Sequence, residues 1–241
     1  MPFYGPEEKN KNMKTVIITG ANGNLGTAVM KEFIDKNYRV IATITNENSK
    51  KDFTAHPNLE ISVVNLTDEK ETASFVENMI RKYSVIDAAL LLVGGFAMGG
   101  IESTTGDDLH KQIALNFETT FYVTKPLFGH MMNNKKGNIV FISARPALNA
   151  AQGKDLIAYG LSKSLLLKLA EYLNEAAKGK SVSVSVVVPS TLDTPLNRKS
   201  IPDVNPDNLV KPREIAETLE FLVSDKSNAL RETVLKIYNN V

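Results

Sequence analysis

Apolar residues fall into two alternating kinds of stretch along this chain. Short runs rich in apolar residues occur at 14–19, 38–44, 59–64, 85–93, 137–143, 181–188 and 233–238. Several of them, such as Ala88-Ala89-Leu90-Leu91-Leu92-Val93, lack a polar face, which suits strands covered on both sides. Amphipathic segments near 25–36, 68–82, 106–132, 154–178 and 212–223 predict helices between them. Thr67-Asp68-Glu69-Lys70-Glu71 puts acidic residues in a first helical turn, where they oppose the helix dipole. Pro212 suits the first turn of the last helix. The alternation predicts an α/β fold: a single Rossmann-type, doubly wound domain over 13–241, with a mostly or fully parallel sheet of about seven strands flanked by helices. The polar start, 1–12, reads as a flexible extension, and 189–211 is too long for an ordinary connection and predicts a loop covering a site.

Charge adds an exclusion: 28 basic residues stand against 27 acidic ones. So even a balance gives no footprint for nucleic acid. The chain has no cysteine, which removes disulfides and thiolate chemistry. Its three histidines, His56, His110 and His130, have no metal-ligand spacing and are expected at the surface or in loops, so no metal site is predicted. No apolar run reaches membrane-spanning length and the start lacks the apolar centre of a signal peptide. A cytoplasmic location without a membrane partner is expected.

Candidate chemistry begins where the first strand runs into Thr19-Gly-Ala-Asn-Gly-Asn-Leu-Gly26. Gly20, Gly23 and Gly26, with Asn22, Asn24 and Leu25 between them, form a turn that lets backbone approach a pyrophosphate while the next helix offers free N–H groups. The second strand ends near Thr45 with no carboxylate to take ribose hydroxyls; Lys50 and Lys51 follow, suited to a 2′-phosphate. Asn65 and Leu66 follow the third strand beside the expected adenine. Gly94 and Gly95 follow the fourth, where bare backbone can approach a ribose. Tyr159 and Lys163 are an i, i+4 pair, so a helix presents both from one face. A fixed ammonium beside a phenol favours phenolate, and a phenol so tuned can exchange a proton with an alcohol or carbonyl oxygen.

Together with Asn116, Ser143 and Pro189-Ser-Thr-Leu-Asp-Thr194, these pieces make the chain resemble the short-chain dehydrogenase/reductases over nearly its whole length. The resemblance implies hydride transfer between a nicotinamide cofactor and a carbonyl or alcohol substrate. It implies that Tyr159 is the proton donor and acceptor, that Lys163 lowers its pKa and holds the nicotinamide ribose, that Ser143 binds the substrate oxygen, and that Asn116 holds a relay water. Pro189, Leu192 and Thr194 would contact the nicotinamide end, Thr194 binding its carboxamide. The cofactor would be NADP or NAD, with NADP slightly favoured by the missing acid at 44–46. Arg198 and Lys199 would meet an anionic substrate or the cofactor phosphates. The long helices at 106–132 and 154–178 would pair copies into a homodimer or homotetramer.

The chain also departs from the common branch. Leu92-Val93-Gly94-Gly95 stands where that branch has Asn-Asn-Ala-Gly, Asn24 where it has glycine, and Ser190 where glycine follows the proline. Val93-Gly-Gly-Phe-Ala-Met-Gly-Gly100 and 191–200 are similar to the dihydropteridine reductase branch, which makes a quinonoid dihydropteridine reductase the alternative; Ser143 and the lack of an acid near Thr45 speak against it. A dinucleotide-binding sensor without turnover is a second alternative, disfavoured by the intact tetrad.

Overall fold

Seven strands form one sheet in the order β3-β2-β1-β4-β5-β6-β7, every neighbouring pair parallel. They are β1 (Thr15–Thr19), β2 (Arg39–Ile44), β3 (Leu59–Val63), β4 (Ala88–Leu91), β5 (Lys136–Ile142), β6 (Ser181–Pro189) and β7 (Val234–Ile237). The helices are α1 (Asn24–Asp35), α2 (Glu69–Tyr83), α3 (Gly106–Ile113), α4 (Thr119–Asn134), α5 (Ala150–Gly153), α6 (Ile157–Ala176), α7 (Pro195–Ser200) and α8 (Pro212–Val223). This computed structural model describes residues 13–201 and 203–240, and the extension expected at 1–12 lies outside the described residues.

The apolar runs take these positions because both sheet faces are covered. Along β1, Ile17 packs into one core with Phe75, Val123, Leu127 and Leu166, while Val16 and Ile18 point into the other with Val29, Phe33, Ile215 and Leu219. Alternate residues of β4 and β5 divide the same way, Phe141 to the first core and Val140 to the second. Phe141 is fully buried, so its truncation to alanine is expected to cost about 3–5 kcal/mol.

Helix α2 starts where the acidic turn predicts, with the Asp68 carboxylate accepting the N–H groups of Lys70 at 2.9 Å and Glu71 at 3.0 Å. Three expectations are refined. The helix expected over 106–132 is broken by a π-helical turn at Ala114–Glu118, in which the Thr119 N–H reaches back to the Ala114 carbonyl. The span 189–211 is not structureless: it holds α7, and the Thr194 hydroxyl caps that helix by accepting the Asn197 N–H at 3.1 Å. His130 is half-buried on α4, where its Nε2 accepts the Ile86 N–H at 3.3 Å, and burial lowers its pKa. The order of strands reverses between β1 and β4, so their C-terminal ends open the crevice where ligands bind in doubly wound sheets.

Candidate active site

At the end of β1 the chain turns on Gly20, whose φ is +67°, a conformation that favours glycine. The Gly23 N–H closes the turn on the Gly20 carbonyl at 3.0 Å. Gly26 lies so close beneath it that a Cβ built there would sit 2.2 Å from the Gly20 oxygen. Helix α1 follows with Gly23 as its N-cap and no side-chain cap, so its first N–H groups have no side-chain acceptor. Such groups at a helix N-terminus suit a phosphate. Asn22 and Asn24 are exposed on this turn while Leu25 is buried beneath it.

Thr45 is exposed just beyond β2. Asn46 then caps a short turn by accepting the Ser49 N–H at 3.0 Å and the Ser49 hydroxyl at 3.1 Å. Lys50 is paired with Glu47 at 2.8 Å, so one of the two expected cations is already engaged. Beyond β3, Asn65 is exposed and Leu66 buried; the Asn65 side chain accepts the Thr67 N–H at 3.1 Å.

The turn after β4 is held from two sides. The Thr19 hydroxyl oxygen accepts the Leu92 N–H at 2.9 Å. Asn116, fully buried in the π turn, clamps Gly95 at both backbone groups: its Oδ1 accepts the Gly95 N–H at 2.8 Å and its Nδ2 donates to the Gly95 carbonyl at 3.0 Å. The same Nδ2 lies 2.9 Å from Gln112 Oε1 and 3.1 Å from Ser162 Oγ, and the Ser162 hydroxyl donates to the Tyr159 carbonyl at 2.8 Å. Asn116 therefore links the β4 turn to α6. Sequence reasoning missed Thr19, Gln112 and Ser162. Ser162 lies inside the Tyr-Gly-Leu-Ser-Lys stretch, and Gln112 precedes Asn116 by four, a spacing that puts two side chains together on a helix.

Helix α6 presents Tyr159 and Lys163. Lys163 is 5% exposed and its Nζ donates to the Ile142 carbonyl at 2.9 Å, at the end of β5. Burial lowers its pKa from 10.5 to about 8. Ser143, the next residue, donates its hydroxyl to the Lys163 carbonyl at 2.9 Å. Tyr159 packs edge-on against Phe96, ring centroids 5.2 Å apart. Burial pushes its phenol up to about 12. Lys163, Asn116, Gly94 and Gly95 do converge: a Cβ built on Gly94 would lie 2.6 Å from Asn116 Oδ1 and 2.7 Å from Lys163 Nζ. Pro189 ends β6 and is buried, Leu192 bridges to Val210, and Thr194 is buried as the cap of α7. Arg198, expected at the mouth for an anion, is instead paired with Asp193 at 2.5 and 2.8 Å.

The family model for short chain dehydrogenases matches residues 14–205. The chain belongs to the short-chain dehydrogenase family. It is an NAD(P)-dependent oxidoreductase of that family. A dihydropteridine reductase from Dictyostelium discoideum is 29% identical over 230 residues, covering 92% of this chain and 94% of that protein. A 3-oxoacyl-[acyl-carrier-protein] reductase FabG from Thermotoga maritima is 26% identical over 238 residues, covering 93% and 96%. Among solved structures, ElxO with NADP bound superposes with a TM-score of 0.87 at 24% identity, covering 93% of this chain and 97% of that one. Among the described residues of this short-chain dehydrogenase, no helix is long and apolar enough to cross a membrane, and no group of acidic or histidine side chains could hold a metal ion.

Proposed function

We propose that this enzyme interconverts a carbonyl compound and its alcohol, with Tyr159 donating the proton to the nascent alkoxide and removing it in reverse. The observation that carries the reading is the convergence of Lys163, Asn116 and the Gly94-Gly95 turn beside Tyr159 at the C-terminal edge of β4 and β5. The glycine turn after β1 fits a dinucleotide. Its φ of +67° at Gly20, the closeness at Gly26 and the α1 N–H groups without a side-chain cap leave room and donors for a pyrophosphate. Gly20, Asn22, Gly23, Asn24, Leu25 and Gly26 would hold that part, Thr45 the adenosine ribose, and Asn65 with Leu66 the adenine. Gly94, Gly95, Lys163, Pro189, Leu192 and Thr194 would hold the nicotinamide end. When bound, the nicotinamide supplies or accepts the hydride.

The protein's own contribution is proton handling and orientation. With its pKa near 12, Tyr159 keeps its proton at neutral pH and is an acid ready to donate. Lys163 near 8 is mostly cationic at pH 7, and its charge favours the phenolate left after donation once the ammonium faces the ring. The Ser143 hydroxyl would orient the substrate oxygen. The Asn116 side chain clamps the β4 turn through both backbone groups of Gly95, and the same residue would hold the relay water.

NADPH is proposed as mildly favoured, since no acid stands at 44–46 to repel a 2′-phosphate. We place the enzyme in the cytoplasm as one catalytic domain from residue 13 onward. Copies would pair through α4 and α6, whose Phe121, Leu161, Leu165 and Tyr172 are exposed, three of them on one helix at 161, 165 and 172. Oxidation of NADPH and NADH against a panel of ketones tests the reading. Tyr159→Phe is expected to lose on the order of 10²–10⁴ in rate while still binding cofactor; a near-normal rate would refute the role.

A second reading, reduction of quinonoid dihydropterin, is favoured by the 29% identical Dictyostelium discoideum relative. Quinonoid dihydropterin belongs in the same panel, and turnover exceeding that of every ketone would select it.

A further inference from the structure

The surroundings of Tyr159 carry a second pattern. Phe96 is 62% exposed although its ring meets Tyr159 edge-on. Met98, on the same turn, is 79% exposed. This turn is fixed to the start of α6: the Gly99 N–H donates to the Asp155 carbonyl and the Ile157 N–H to the Gly99 carbonyl, both at 2.9 Å. The loop after β5 is seated on the same helix, because a Cβ built on Gly160 would touch the Pro146 carbonyl at 3.5 Å. That loop exposes Leu148. After β6, the next strand over, Leu196 is exposed on the first turn of α7, two residues past Thr194. Single exposed apolar side chains are ordinary on a surface. Here they stand on the ends of three adjacent strands, two of whose loops are anchored on the helix that carries Tyr159.

Guanidinium groups in these loops are already engaged. Arg145 lies over the Tyr238 ring at 4.8 Å, and Arg198 is held by Asp193. Neither guanidinium is left to pair with a substrate carboxylate, the Lys163 ammonium is held by the Ile142 carbonyl, and Lys154 and Lys199 on the same loops are exposed to water, where a charge pair is worth little.

Resting on the proposed role of Tyr159, we infer that the substrate carries its reacting carbonyl on an uncharged apolar body, aryl or branched alkyl, which lies against Phe96, and that Phe96 sets this specificity. The polar end of the substrate faces Tyr159 and Ser143, and its apolar end takes the place of water on Phe96, Met98 and Leu148. A site of this kind distinguishes ligands by the cost of stripping water from a charge more than by their length.

The test uses two probes that share a phenyl ketone and differ by a carboxylate: acetophenone and benzoylformate, each with NADPH. Acetophenone is expected to give a kcat/KM at least roughly tenfold higher. Phe96→Ala is expected to raise its KM by roughly tenfold while the NADPH Kd stays within about twofold, with Phe96→Leu recovering part of the loss. Equal or better use of benzoylformate, or an unmoved KM in Phe96→Ala, overturns the inference. If neither ketone turns over, saturation-transfer NMR on the NADPH-loaded protein decides. Acetophenone binding that Phe96→Ala removes and Tyr159→Phe keeps sustains the apolar site and condemns only the catalytic reading. Absence of selective acetophenone binding overturns the inference itself.

Discussion

Replacing Lys163 by methionine should make the protein more stable and inactive at once. Methionine keeps the length of the side chain and removes the charge. In the folded protein burial holds the ammonium at a pKa of about 8 against an ordinary 10.5, and that difference corresponds to roughly 3 kcal/mol of destabilisation while the group is charged in both states. The variant also leaves the Ile142 carbonyl without the ammonium now 2.9 Å away, a loss of about 1–2 kcal/mol. The net expectation is a gain of about 1–2 kcal/mol at pH 7, by difference of these two terms. Below pH 8 the lysine is protonated whether folded or unfolded, so the wild type bears the full penalty. Between pH 8 and about 10.4 the folded form releases its proton first, the unfolded form binds more protons, and wild-type stability rises with pH relative to the variant. Above that range the lysine is neutral in both states and the penalty is gone. Urea unfolding of both proteins at pH 7 and pH 10, with turnover measured on the same samples, checks this. A variant less stable at pH 7, or a stability difference that does not move toward the wild type at pH 10, would refute the reasoning.

Other substitutions probe the rest of the site. Gly26→Ala places a methyl 2.2 Å from the Gly20 oxygen and 2.8 Å from the Ala21 Cα, so a loss of about 1–3 kcal/mol in thermal unfolding and a weaker NADPH Kd by fluorescence titration are expected. Thr45→Asp should move cofactor preference toward NADH by at least roughly tenfold, read as the ratio of the two kcat/KM values, because a carboxylate repels a 2′-phosphate and accepts ribose hydroxyls. Gln112→Leu removes a buried acceptor from Asn116 and should cost about 1–3 kcal/mol. Gln112→Glu, which keeps an acceptor, should recover part of that stability, measured by thermal unfolding of the two variants.

The strand runs were legible because covering both faces leaves few polar positions: β1 sends Ile17 one way and Val16 and Ile18 the other. Glycines at 20 and 26 were legible because a left-handed turn and a helix packed directly beneath it tolerate little else. The π turn was not. Its stretch, Ala114-Leu-Asn-Phe-Glu118, holds neither proline nor glycine, and what distinguishes it is the contact of Asn116 with Gly95, 21 residues away. End-group chemistry was hidden for a similar reason. The i, i+4 spacing puts Tyr159 and Lys163 on one face, but four methylenes let the ammonium reach the Ile142 carbonyl, 21 residues back. The Ser143 hydroxyl, 20 residues from Lys163, likewise goes to a carbonyl that spacing does not reveal.

One departure from the common family pattern acquires a physical meaning at this point. In the stretch Leu92-Val93-Gly94-Gly95, Gly94 stands where the common branch has alanine. A Cβ at that position would fall 2.6 Å from Asn116 Oδ1 and 2.7 Å from Lys163 Nζ, inside any allowed contact. The glycine and the pose of Lys163 against the Ile142 carbonyl are therefore two sides of one packing solution, since a methyl there would force the ammonium, the amide or the turn to move. The amide has little freedom to do so, because both backbone groups of Gly95 and the side chains of Gln112 and Ser162 fix it. The lysine is joined to the strand end by one hydrogen bond from its Nζ, and it is the member free to swing. Gly94 thus gives Lys163 a resting place on the backbone at the end of β5, one turn of α6 from Tyr159.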